Sequence, residues 1–204
     1  MGLGGGPDWR DDYEWFRLED VPAPQDPDAG PGAEPDAGPD EFSDALRALV
    51  RDYPVWSGNG VTRVLLVDLD NLRAVKGRLR ARLGVVVELA RQADHVAFAG
   101  QSGAVARSRP WLAEFAGRAQ PVAAGPDVAD LVLLAAAAEV PDPAEFLVVS
   151  NDGIFADLAE RGELTILSPG VDALSDRLHG AASLLVDLAA LEREAAERLT
   201  PAAG

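Results

Sequence analysis

An α/β domain built on a parallel sheet is the fold class this sequence predicts, and three observations carry it. Short, nearly continuous apolar runs (RVLLVD, HVAFAG, EFLVVS, LTILSP) recur from residue 63 onward, segments of helical spacing separate them, and acids stand at several points where a run gives way to a helix. Strands that are apolar on both faces are strands covered on both faces, as in a parallel sheet held between two helix layers. The 204 residues suit one such domain plus a tail and fall short of two ordinary enzyme domains.

Residues 1–41 form the tail. PAPQDPDAGPGAEPDAGPD consists of Pro, Gly, Ala, Gln and acids, which bury too little apolar surface to offset the entropy of ordering, so a disordered linker is expected. Ahead of it, Trp9, Tyr13, Trp15 and Phe16 sit among acids. That segment is either a solvated tail or a docking segment for a protein partner or for the chain's own domain. Over residues 42–59, Phe42, Ala45, Leu46, Leu49 and Val50 repeat at helical spacing, with Ser43 as N-cap. A short helix ending before Pro54 and packing on the domain is the expectation.

Residues 60–204 are the domain. RVLLVD predicts a strand, RLRARLGVVVELARQA a helix, HVAFAG a second strand, and PVAA a third after the stretch around PWLAEFAGRA. DVADLVLLAAAAE predicts a helix, EFLVVS a buried strand, IFADLAERG a helix stopped by Gly162, and LTILSP another strand. SLLVDLAALEREAAERL predicts a brief strand or turn running into a terminal amphipathic helix.

With no cysteine, disulfides, Cys-ligated zinc, iron–sulfur clusters and thiol catalysis are excluded. His95 and His179 are too few for a histidine-rich metal site. MGLGGGPDW lacks a signal-peptide profile and no apolar run reaches membrane-spanning length, so a soluble cytoplasmic protein is expected. The net charge of −16 argues against a nucleic-acid partner only until its distribution is read. Residues 1–41 carry a net of −10, whereas residues 63–118 carry ten bases against five acids.

In doubly wound sheets ligands bind outside the carboxyl ends of the strands, so acids there carry most weight. Asp68 ends the first apolar run, followed by Asp70 and Asn71. A carboxylate at the end of a buried strand is costly to desolvate unless backbone N–H groups or a cation compensate it. Asp127 and Asp130 stand where the helix after the third strand begins, a position helix capping alone would explain. Ser150, Asn151 and Asp152 follow EFLVVS, where Asp152 also suits an N-cap. Asp157 lies about 140° from Asp152 on an α-helix and is the weaker candidate. Three acidic sets at three strand–helix junctions of one sheet can converge on one crevice. Such a cluster suits Mg²⁺ or Mn²⁺, which take oxygen ligands and support phosphodiester hydrolysis without His or Cys.

VLLVDLDNL, DVADLVLLAAAA and FLVVSNDGIFADLAERG resemble, in order, the three signature segments of NYN domains, a branch of the PIN-like ribonuclease superfamily. The resemblance covers roughly residues 60–190. It implies a three-layer PIN-like fold with strand order 3-2-1-4-5 and divalent-metal-dependent cleavage of RNA. It further implies that Asp68 is the principal metal ligand with Asn71 as partner, that Asp130 and Asp152 are the second and third acids, and that Ser150 orients the site. The chain departs from the family pattern twice: Ile154 replaces a second Asp of the third segment, and Asp127 stands where a basic residue is often found. Asp70 or Asp127 would replace the lost charge in an active site; otherwise the chain is a degenerate module binding RNA or a protein partner.

A further rival is a haloacid-dehalogenase-type phosphatase, which uses a strand-end Asp-x-Asp like Asp68 and Asp70 with a later acidic pair. Leu72 stands where that pattern expects Thr or Val, and the later segment has no lysine. On the substrate side, Arg73, Lys76, Arg78, Arg80 and Arg82 follow Asn71, and Arg107 and Arg109 are expected in the loop after the second strand. They are either a track for RNA phosphates or a solvated helix face. No aromatic platform accompanies them to specify sequence, and the resemblance is the ground for expecting single-stranded RNA.

Overall fold

The computed structural model describes residues 41–200. The expected disordered linker and the aromatic acidic segment lie outside the described residues. In chain order the elements are α1 (Glu41–Arg51), β1 (Thr62–Asp68), α2 (Lys76–Ala90), β2 (His95–Gln101), α3 (Ser102–Ser108), β3 (Ala119–Val122), α4 (Val128–Ala138), β4 (Ala144–Val149), β5 (Gly162–Ser168), α5 (Asp176–Ala181), β6 (Leu184–Asp187) and α6 (Leu188–Leu199). Short 3₁₀ segments occupy Ala113–Arg118, Gly153–Glu160 and Val171–Ala173.

The six strands form one sheet of order β3-β2-β1-β4-β5-β6, with every pairing parallel. β1 and β4 are adjacent at its centre, in register from Thr62 opposite Ala144 to Val67 opposite Val149. Alternation along the strands divides the core in two. Leu65, Val67, Leu147 and Val149 join residues of α1, α2 and α6 on one face. Val64, Leu66, Phe146 and Val148 join Leu133 and Ala137 of α4 with Phe155 and Leu158 on the other. Because the sheet is parallel, all six carboxyl ends lie along one edge.

α1 packs on both α2 and α6, burying Leu46, Leu49 and Val50. The second half of α2, GVVVELA, therefore has the sheet on one side and α1 on the other, which is why its apolar residues run almost all round. Two local expectations are corrected. The stretch holding Arg107 is helical, with Ala104, Val105 and Ser108 on its buried side and Arg109 as its C-cap; at seven residues it is too short to announce itself by periodicity. IFADLAE is a 3₁₀ rather than an α-helix. It ends at Gly162, where an added Cβ would stand 1.9 Å from the Ala144 carbonyl oxygen, so only glycine can pass there into β5.

Candidate metal centre

β1 ends in Asp68, whose parity with Val64 and Leu66 assigns it to the face covered by α4. Its carboxylate accepts from the Asp70 N–H at 2.9 Å and from the Asn71 side-chain amide. The same amide donates to Ser150 Oγ at 3.2 Å, and Ser150 Oγ accepts from the Asp152 N–H at 3.2 Å. One hydrogen-bonded chain thus joins the ends of β1 and β4. Burial pushes the Asp68 carboxyl up, while the bonds from Asn71 and Asp70 pull it down. Asp70 Oδ2 accepts from the Gln101 N–H at 2.8 Å, which ties the β1–α2 connection to the end of β2.

On the neighbouring side stands the tightest acidic grouping among the described residues. Asp127, Asp130 and Asp152 each place a carboxylate oxygen within 4.8 Å of the others. A side-chain cap does not explain Asp127. Asp127 sits in the left-handed region, at φ 59° and ψ 3°, and its side chain makes no cap hydrogen bond. Backbone in that region is costly for a residue with a Cβ, though Asp tolerates it better than most. Asp130 lies on the buried stripe of α4 with Ala129, Leu133 and Ala137. It is 6% exposed, and its Oδ1 has no hydrogen-bond partner among the described residues. Burial pushes the Asp130 carboxyl up to about 7, with the negative charges of Asp68, Asp152, Asp127 and Asp70 adding to it. Asp152 does cap the following 3₁₀ segment, accepting from the Ile154 N–H at 3.0 Å.

Asp127 and Asp152 open onto a cleft of about 600 Å³ that is also lined by Asn151, Ser175 and Arg177. Its wall is tight. Ser175 N donates to the Asn151 carbonyl at 3.0 Å, and a Cβ on Gly153 would meet Ser175 Oγ at 2.6 Å. Asn151 is held from behind, donating to the Gly170 carbonyl at 3.0 Å and accepting from Ser168 Oγ at 2.6 Å.

Other candidates are placed differently. Asp157 is exposed, ion-paired with Arg177, and outside the three-carboxylate group. Ile154 is partly buried against the α4-side core. In the basic series Arg82 requires correction as a phosphate contact. It is 7% exposed, and its guanidinium grips Glu192 at 2.6 and 3.0 Å and the Arg73 carbonyl at 3.2 Å. Alternate spacing could not separate it from its neighbours. Arg78 is half-exposed and 3.6 Å from Glu192, Arg80 is partly buried and has an interaction partner, and the Lys76 side chain lies outside what is described. Arg73 is exposed at 4.0 Å from Asp70, and Arg107 and Arg109 are exposed.

Two residues escaped the sequence reading. Glu192, fully buried on α6, holds the Arg82 fork from 110 residues away. Arg177, on α5, brings a cation to the acidic cleft. Neither stands near a motif, and long-range pairing leaves no local signal.

An all-oxygen set containing an unpartnered buried carboxylate oxygen fits a hard divalent cation. No protein-family model matches the chain. No curated protein is similar to it at a significant level.

Proposed function

We propose that the chain is a divalent-metal-dependent nuclease of PIN-like architecture that hydrolyses phosphodiester bonds in RNA. The observation that carries the reading is Asp130: a carboxylate 6% exposed, one oxygen unpartnered, among four other acids at the carboxyl edge of a parallel sheet. Burial of the charged form is unfavourable by several kcal/mol unless a proton or a cation neutralises it, and above about pH 7 a cation is what can. The strand order of β1–β5 and the three signature-like segments support the PIN-like assignment.

Asp127, Asp130 and Asp152 would hold Mg²⁺ or Mn²⁺, with Asp68 beside them. Such a cation supplies Lewis acidity toward a phosphoryl oxygen and offsets the charge developing there. The chain's own residues do the rest. Asn71 and Ser150 fix Asp68 and the Asp152 backbone relative to one another. Asp70 anchors the connection that carries Arg73, whose exposed guanidinium suits a phosphate of the RNA strand.

The degenerate-module reading draws on one observation, Ile154 packed where the family pattern has an acid. The phosphatase reading needs Asp68 as a nucleophile, but its carboxylate is held by Asp70 N–H and Asn71, and Asp157 is ion-paired with Arg177. The test is cleavage of a labelled single-stranded RNA with Mn²⁺, Mg²⁺ or EDTA, by the wild-type chain and Asp130→Asn. Metal-dependent cleavage lost in the variant sustains the proposal. Equal, metal-independent signals from both proteins would leave the binding module, and phosphate release from small phosphomonoesters would restore the phosphatase.

A further inference from the structure

Between the β1–α2 connection and α3 lies a recess of about 240 Å³. Its floor is apolar, formed by Leu69, Leu72, Leu79 and Ala104, none more than 9% exposed. Arg73 and Arg107 stand at its mouth, and among the described residues no ion pair engages Arg107. Ala74 also lines the recess, and Val75, next to it in the chain, is 74% exposed. The two walls are held together. Asp70 accepts from Gln101 N–H immediately before α3, and Arg82 donates to the Arg73 carbonyl on the other wall.

From this arrangement we infer that the recess is a subsite for one unstacked nucleobase of a single RNA strand, with Arg73 and Arg107 on the flanking phosphates. The inference rests on the nuclease reading and adds where the strand runs. An apolar floor under two guanidinium groups matches a nucleotide, apolar at the base faces and anionic at the phosphate. The volume lies below the roughly 300–1,000 Å³ of sites for larger ligands, which suits one base. A duplex offers none, because its bases are stacked and its phosphates line the outside. The acidic centre repels phosphate until a cation is present, so the basic recess is where a strand first gains hold.

The test uses the full chain in EDTA, so that cleavage cannot intervene, with adenosine 5′-monophosphate and ribose 5-phosphate as probes followed by methyl NMR. The nucleotide binds at least about tenfold more tightly than the base-free sugar phosphate and moves the methyl signals of Leu72, Leu79 and Ala104. Arg107→Ala weakens it about tenfold. Ala104→Leu, or Ala74→Leu should the first not fold, fills the recess and removes the nucleotide's advantage over the sugar phosphate. Equal binding of the two probes, or shifts confined to other methyls, overturns the subsite. Base binding without metal-dependent cleavage of RNA would keep the subsite and remove the nuclease; cleavage without base preference would do the reverse.

Discussion

Two buried carboxylates, one near the start of α4 and one in the middle of α6, differ in how their charge is met. Both Asp130 and Glu192 lie on the core side of a helix. Glu192 meets the Arg82 fork and lies 3.6 Å from Arg78, so its negative charge is answered where it stands. Asp130 meets four further acids and keeps one oxygen unpartnered. Glu145, the other buried glutamate, follows Glu192 by accepting from both N–H and hydroxyl of Ser57. Burial of an acid is therefore uninformative in this fold; the state of its partners tells which acid is answered within the structure and which is not.

The comparison can be broken most forcefully at Glu192. Glu192→Ala leaves the Arg82 guanidinium buried without a counter-charge and should cost about 3–5 kcal/mol in chemical denaturation, while Arg82→Met with Glu192→Leu recovers most of it. A small loss in the single variant would mean that water or another acid replaces Glu192.

Asp130→Asn should move activity and stability in opposite directions. Metal-dependent RNA cleavage falls at least about 100-fold, as for other losses at a metal centre. The cation-free protein gains about 1–2 kcal/mol at neutral pH, because a like charge leaves the cluster. A destabilised variant would make Asp130 a scaffold residue like Glu192.

The pH dependence sharpens the contrast. In EDTA the folded protein holds a proton on Asp130 up to about pH 7, whereas the unfolded chain loses it above its ordinary value of 3.8. Within that window the folded state binds more protons, so stability declines as pH rises from about 4 to about 7 and levels off above. Screening reduces the expected decline to the order of 2 kcal/mol. Asp68, also pushed up, adds to it in the same sense, so Asp130→Asn flattens the curve without removing it. Melting curves across that range, with and without Mn²⁺, test this; a stability that rises with pH would contradict the burial of an uncompensated acid.

The smallest effect is expected at Asp127. Asp127→Gly relieves the left-handed backbone and should stabilise the cation-free protein by about 1 kcal/mol, while weakening Mn²⁺ binding about tenfold in calorimetry. Unchanged Mn²⁺ affinity would remove Asp127 from the centre.

Much of this architecture was legible in the chain. The runs around Val64–Val67 and Phe146–Val149 are apolar at successive positions, which states burial on both faces directly, and the acids after them mark the carboxyl edge. Asp127 was harder, since the letters Asp-Val-Ala-Asp suit an N-cap, and only its φ of 59° and the missing cap hydrogen bond show that its side chain does not cap α4. The basic stretch was the least legible. Arg78, Arg80 and Arg82 look alike in sequence, and what buries the last of them is Glu192, which no window around α2 contains. Local patterns report local geometry, whereas partners brought together by sheet topology do not.

The Arg82–Glu192 pair also sets a clock. During synthesis Arg82 emerges 110 residues before its counter-charge. At about 5–20 residues per second that interval is roughly 5–20 s. Until α6 arrives, the guanidinium has no buried carboxylate to hold and the Arg73 carbonyl is not yet fixed, so the β1–α2 connection takes its final form late. The half-made chain on the ribosome thus carries the acids at the ends of β1 and β4 before the β1–α2 connection is locked in place.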